Sequence, residues 1–274
     1  MKYIILLLLS IFILSSCEKN ANIEMPNQDP ELVVAGFIAP NTDTLRLKLT
    51  WTIPIYNHTV GNDDLYENEA NADVSFISNG NTINLKYDTI QRCYITTNAN
   101  YNIGDVVDMS IRYNDRAELT ATSIIPSEPL FDLKYLGIKT IDHGDYKEMR
   151  TEFDFKCLGI DPINYYRINM VSYSTQSGIY TIKDNMYMGD DEFLKMEPNT
   201  SATISTYYSE ENILDSIRYY VINCSEEYYK YHISVKNYQG DDFFVEPSLI
   251  YDNVENGLGN FSSFNMVSDT LMVK

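Results

Sequence analysis

Apolar and polar residues alternate along much of this chain. Between positions 45 and 55, Leu45, Leu47, Leu49, Trp51, Ile53 and Ile55 fall on one side. Arg46, Lys48, Thr50, Thr52 and Pro54 fall on the other. A period of two predicts a half-buried strand, and Pro54 marks an edge or a strand end. The same alternation recurs at Ile83/Leu85/Tyr87 and at Val107/Met109/Ile111/Tyr113, while Leu32–Ile38 and Val74–Ile77 read as further strands. Residues 92–97 and 117–125 complete about seven short strands, separated by turn signals such as Asn79-Gly80-Asn81 and Asn114-Asp115. This density predicts an immunoglobulin-like β-sandwich over residues 31–126.

Ser127-Glu128-Pro129 marks a boundary, after which strands resume at 131–141, 148–158, 163–175, 178–188, 201–208 and 215–224. Phe153, Phe155 and Cys157 share one face. The strand at 215–224 is apolar on both faces, which predicts a central, covered position. A helix is expected near 226–239. Ser225 can cap it, Glu226 and Glu227 suit the positive end of its dipole, Tyr228, Tyr231/His232, Val235 and Tyr238 follow 3–4 spacing, and Gly240 can end it. The expected class is therefore all-β and mainly antiparallel. A second β-sandwich or barrel-like domain with one packed α-helix occupies 127–274.

The head of the chain departs from this pattern. Met1-Lys2-Tyr3 precedes an apolar run through Leu14, too short to span a bilayer, which needs about 20 apolar residues. The run ends in Leu14-Ser15-Ser16-Cys17, the form of a bacterial lipobox. Residues 1–16 read as a signal peptide, Cys17 as the lipidation site, and residues 17–30, polar with two prolines, as a lipidated tether.

Composition narrows the function classes. Aromatic residues make up 13% of the chain, with 23 Tyr, and apolar residues 44%; that supports a packed core and excludes general disorder. The net charge of −19 argues against nucleic acid as a partner, since no basic patch is apparent to neutralise phosphates. The tyrosines, clustered in pairs, read chiefly as packing residues.

Candidate chemistry is sparse. With Cys17 lipidated, Cys93, Cys157 and Cys224 remain; they read as small buried hydrophobes, with a Cys157–Cys224 bridge as the minor alternative. His58, His143 and His232 belong to no ligand motif. Asp142-His143-Gly144-Asp145 reads as a hairpin turn, and His232 as a packed helix residue. The acidic clusters Asp63-Asp64, Asp190-Asp191-Glu192, Glu210-Glu211 and Asp241-Asp242 read mostly as solvated loop charge. No catalytic residue, metal ligand or cofactor site is nominated. The polar insertion at 57–70 reads as a mobile surface loop or a binding loop.

One segment is more specific. Glu246-Pro247 is followed by Ile250-Tyr251-Asp252-Asn253-Val254-Glu255-Asn256-Gly257-Leu258-Gly259-Asn260-Phe261. Together with Tyr228-Tyr229-Lys230-Tyr231, Pro30–Ile38 and Ala121–Pro126, it resembles the family known as domain of unknown function 4249. That resemblance implies a lipoprotein of the kind typical of Bacteroidota, at the outer membrane or cell surface and often encoded beside TonB-dependent transporters. It carries over no catalytic residues. Gly257 and Gly259 are expected to serve a tight backbone turn, with Phe261 returning to the core. The expectation is thus a non-enzymatic accessory lipoprotein, anchored in the outer membrane by lipid on Cys17 and partnered by a TonB-dependent transporter. A free-standing glycan- or peptide-binding module is the alternative, and a carboxylate-based hydrolase a more remote one.

Overall fold

The computed structural model describes residues 29–53, 68–97, 99–145, 147–176, 179–183, 191–209, 213–238 and 249–273. The signal peptide, Cys17, most of the tether, His58 and most of the 57–70 insertion lie outside the described residues. So do Asp63-Asp64, Glu210-Glu211, Gly240 and Asp241-Asp242.

The N-terminal part contains β1 (Leu32–Ile38), β2 (Leu45–Trp51), β3 (Asp73–Ser78), β4 (Asn81–Asn84), β5 (Lys86–Asp88), β6 (Cys93–Thr96), β7 (Val106–Arg112) and β8 (Leu119–Ile124). Strands β5-β6-β2-β1 form one sheet and β4-β3-β7-β8 the other. This is the strand order of an immunoglobulin-like sandwich. The alternation in β1 and β2 buries Leu32, Val34, Ile38, Leu45, Leu47 and Leu49 against Val74, Phe76, Val107, Met109 and Ile111 of the facing sheet.

Two local expectations change. The strand beginning at Leu45 ends at Trp51 rather than 55, and Ile53 is exposed; a proline ahead at 54 cannot donate to a ladder. The Ile83/Leu85/Tyr87 run is two strands. The chain crosses from one sheet to the other at Leu85, whose N–H donates to Val74 O at 2.9 Å. The period of two survives the crossing, so alternation alone does not reveal it.

The second part contains β9 (Phe131–Asp142), β10 (Lys147–Cys157), β11 (Asn164–Gln176), β12 (Ile179–Lys183), β13 (Glu192–Met196), β14 (Ser201–Ser209), β15 (Ile213–Cys224), helix α1 (Glu226–Lys236) and β16 (Leu258–Met272). Strands β14-β10-β9 form a three-stranded sheet facing a layer built from β12, β11, β15, β16 and β13. Among the described residues no barrel closes; the arrangement is a second sandwich, with Phe153, Phe155 and Cys157 buried against Tyr166, Ile168, Ile217 and Val221. Strand β15 is central, between β11 and β16.

Strand β16 joins the two parts. Its first half pairs parallel with β1 (Val33↔Leu258 to Ile38↔Ser263). Its second half pairs antiparallel with β15 (Cys224↔Phe264 to Ser216↔Met272). Residues 258–263, which the sequence reading grouped with the second domain, thus complete the first sheet. Fifteen residues at about 3.3 Å each make a spine about 50 Å long under one continuous layer.

The segment that carries the family resemblance builds this joint. Asn253 clamps Phe261: its Oδ1 accepts from Phe261 N at 2.9 Å and its Nδ2 donates to Phe261 O at 2.8 Å. The Phe261 ring is fully buried, 5.1 Å from Phe76. Asn256 takes a left-handed conformation (φ 61°) and donates to Glu118 O. Gly259 lies inside β16 at φ 108°, so close to Val34 that a Cβ would collide with its backbone. The expected structural role of this segment holds, but Gly259 serves a close strand approach rather than a tight turn. The linker is also tied down. Ser263 Oγ donates to Ile124 O, Asn265 Nδ2 to Pro126 O, and Asn223 Nδ2 to Ser127 O.

A Gly259→Ala variant should therefore lose at least about 3 kcal/mol of stability, since both its φ and the space around it are forbidden to a side chain. Gly80→Ala, at φ 77° with open space around it, should lose only about 1 kcal/mol. Urea denaturation of the two variants checks the contrast.

Candidate functional site

Helix α1 packs on the outer face of the joined layer. Ser225 caps it, its Oγ accepting from Tyr228 N at 3.3 Å, and the helix ends at Asn237. Its first turn carries Glu226 and Glu227, its last Lys236. The apolar patch beneath it consists of Ile222, Cys224 and Tyr228, with Phe37, Tyr165, Tyr229 and Phe264.

A buried polar chain holds the helix to β11. Arg167 projects from the helix-facing side of β11. Its Nε and Nη2 donate to Asp191 Oδ2 at 2.6 and 2.5 Å, and its Nη1 donates to the Tyr228 hydroxyl at 2.7 Å. The second oxygen of Asp191 accepts from Asn169 Nδ2 at 2.6 Å, and its backbone carbonyl accepts from Lys236 Nζ at 2.7 Å. Asp191 is 1% exposed. The reading of the 190–192 cluster as solvated charge is corrected at Asp191, whose carboxylate is consumed by Arg167 and Asn169. Glu192 opens β13, a strand absent from the sequence reading.

Burial alone would lower the Arg167 pKa, but Tyr228 and Asp191 outweigh it and hold the guanidinium above its ordinary value. Burial raises the Tyr228 phenol, with Arg167 opposing. His232 stacks on Tyr228 with ring centroids 4.0 Å apart. Its Nδ1 lies 2.9 Å from Tyr228 O. A carbonyl only accepts, so Nδ1 carries the proton and Nε2 is the acceptor. Burial pulls the His232 pKa down to about 4, against the pull of the Tyr228 carbonyl. His232 is therefore neutral at pH 7, packed as expected.

Beside this chain opens a cavity of about 730 Å³ between α1 and the outer face of the first sheet. Phe37, Tyr228, His232 and Phe264 supply rings on the helix side. Arg46, Lys48 and Arg92 stand on the sheet side, with Arg167 as a fourth cation. The outward alternation of β2 places Arg46 and Lys48 here, two residues and about 7 Å apart along one face. The β5–β6 hairpin brings Arg92. Asp88 Oδ1 accepts from Ile90 N and Gln91 N to shape its turn, and Gln91 Oε1 accepts from Arg46 Nε at 2.9 Å. No carboxylate is among the described residues lining the cavity. In a chain of net charge −19 this is a local reversal, and it corrects the statement that no basic patch is present. A smaller cavity of about 430 Å³ at the helix N-terminus is lined instead by Asp161, Glu226 and Glu227.

The remaining sequence candidates lie elsewhere. Asp142-His143-Gly144-Asp145 is the β9–β10 hairpin turn, with Gly144 at φ 87° and His143 Nε2 3.1 Å from Glu148 Oε2. Cys157, at the end of β10, and Cys224, at the end of β15, are buried free thiols in separate apolar clusters. One contacts the Tyr166 hydroxyl and the other donates to Tyr165 O, so they do not pair. The described residues hold no cluster of His, Cys, Asp and Glu suited to a metal ion, and no helix among them is long and apolar enough to cross a membrane. Sequence reasoning read Asp191 as solvated charge and passed over Arg167, Arg46, Lys48 and Arg92 as site residues. The available signal was a pair of cations two apart on one strand face in an acidic chain.

The model of the family described as domain of unknown function DUF4249 matches residues 18–270, a span that includes the joint, the helix and the cavity. No curated protein matches the chain.

Two measurements test this site. Asp191→Ala should destabilise the fold by about 3–5 kcal/mol, because it strands a buried guanidinium; urea denaturation at pH 7 checks it. His232 makes stability depend on pH. The unfolded chain takes up the proton near the ordinary value of 6.5 and the folded chain only near 4. Between those values the unfolded state holds more protons. The contribution is thus complete above pH 6.5 and lost as pH falls towards 4, about 3 kcal/mol in all. His232→Gln should flatten the fall in urea midpoint between pH 7 and 4.5 relative to the parent.

Proposed function

We propose that the chain, which belongs to the DUF4249 family, is a lipid-anchored envelope protein that acts by binding rather than by catalysis. Acyl chains on Cys17 hold it at the outer membrane, and the cavity beside α1 receives a ligand handled by a TonB-dependent transporter. The observation that carries this reading is the cavity itself. Its volume lies within the roughly 300–1,000 Å³ usual for small-molecule sites, and its lining combines rings with a few charged groups.

Catalysis is the weaker use of these residues. The Asp191 carboxylate beside the cavity is bound to Arg167 and Asn169, and His232 is neutral and held through Nδ1. His232 is not poised to exchange a proton with a substrate near neutral pH. The anchor is supported by the lipobox Leu14-Ser15-Ser16-Cys17. Each buried methylene contributes about 0.8 kcal/mol, so two or more acyl chains hold a protein firmly where one does not. A strongly acidic body gains nothing from anionic lipid surfaces and depends on such an anchor.

Two results are expected. Cys17→Ala should move the protein from the membrane fraction to the soluble fraction. The tagged parent, solubilised from native membranes, should recover a TonB-dependent transporter; recovery of no outer-membrane partner would overturn the transporter association.

A further inference from the structure

The lining of the α1 cavity specifies its ligand more narrowly. We infer that it binds a small organic polyanion, a compact body bearing two or more carboxylate or phosphate groups, gripped by Arg46, Lys48 and Arg92 and seated against the rings of Phe37, Tyr228 and His232. The inference rests on the reading of this cavity as a ligand site.

Three observations carry it. First, charge: the cations lining the cavity stand in a chain with nearly twice as many acids as bases, 39 against 20. Solvated surface charge in such a chain would be mostly negative. A concave region lined by one sign focuses its field and concentrates counter-ions of the opposite sign.

Second, the hydrogen bonding of the cations divides them by role. Arg167 is satisfied by Asp191 and the Tyr228 hydroxyl, so it is a positioning residue that fixes the aromatic floor. Arg46 is different. Its one hydrogen bond among the described residues is from Nε to the neutral amide of Gln91. That bond orients the guanidinium without neutralising it, and its terminal amino groups suit a planar oxyanion.

Third, backbone conformation. Most described non-glycine residues with positive φ are Asn41, Asn79, Asn114, Asn199 and Asn256, the residue type that tolerates this region best. Arg92 is the exception, at φ 52°. It occupies the last position of the β5–β6 turn, where glycine or asparagine would sit without strain. A long cationic side chain thus stands at a conformational cost on the wall of a cationic cavity.

The test is isothermal titration calorimetry of the intact lipoprotein in neutral detergent at low salt. The probes are benzene-1,3,5-tricarboxylate, its neutral triamide counterpart and inorganic phosphate. The tricarboxylate should bind, and more weakly as NaCl rises. Phosphate should compete with it, and the triamide should bind at least tenfold more weakly. Arg46→Gln and Arg92→Gly should each reduce tricarboxylate affinity about tenfold, the usual loss for one charge-assisted hydrogen bond. Arg92→Gly should at the same time raise the melting temperature, because it relieves the left-handed backbone. That opposite movement separates lost binding from lost folding. Lys139→Gln, a cation paired with Glu152 on the second sandwich, should leave affinity unchanged. Equal binding of acid and amide would overturn the polyanion inference and leave the ligand cavity standing. Failure of all three probes to bind would overturn both. Loss of affinity in Lys139→Gln equal to that in Arg46→Gln would reduce the effect to overall charge and overturn the assignment to this cavity.

Discussion

Most of this architecture depends on one backbone ladder, the parallel pairing of β16 with β1. Without it the first sandwich lacks a strand of its sheet and the second has no fixed orientation to the first. Parallel pairs hydrogen-bond less favourably per residue than antiparallel ones, so this ladder needs reinforcement. It comes from both sides. Asn253 holds Phe261 by two backbone bonds, Phe261 fills the core against Phe76, and glycine at 259 lets the β16 backbone approach Val34. The linker between the sandwiches is then bound to the same strand through Ser263 and Asn265. The joint is a buried, hydrogen-bonded structure, unlike the exposed polar linker that commonly separates domains.

The cavity is a product of that joint. Phe37 belongs to β1 and Phe264 to β16, Arg46 and Lys48 to β2, and Tyr228 and His232 to the helix that follows β15. Neither sandwich alone assembles this set. The buried Arg167–Asp191 pair adds a second tie. Such pairs often contribute little net stability, because desolvation offsets their attraction. Here the pair fixes the Tyr228 hydroxyl, and with it the angle at which the helix lies over the sheet.

Strands with a buried face were legible in the chain. β1 and β2 begin where alternation places them, and Phe153, Phe155 and Cys157 point inward together. The helix was legible from its cap and its 3–4 spacing. β16 was not. Its buried positions include Asn260, Ser262 and Ser263, each fully buried. They are polar because they bond the helix, each other and the linker rather than pack as hydrophobes. A hydrophobicity pattern cannot register such a strand, and a parallel partner far away leaves no turn signal. The site was illegible for a related reason. Arg167 and Asp191 meet through the pairing of β13 with β11, and Arg46 reads as ordinary polar-face charge until the helix is laid beside it.

The distance along the chain between β1 and its partner has a consequence for how the protein is made. Val33 meets Leu258, so more than two hundred residues separate the two sides of this ladder. During synthesis β1 emerges early and waits, its outer edge unpaired, until nearly everything else has followed. Contacts of such separation form slowly and leave open strand edges exposed meanwhile. A chain that cannot close its first sheet early also stays unfolded longer. The strand that welds the two halves in the finished molecule thus also sets the moment at which folding can be completed.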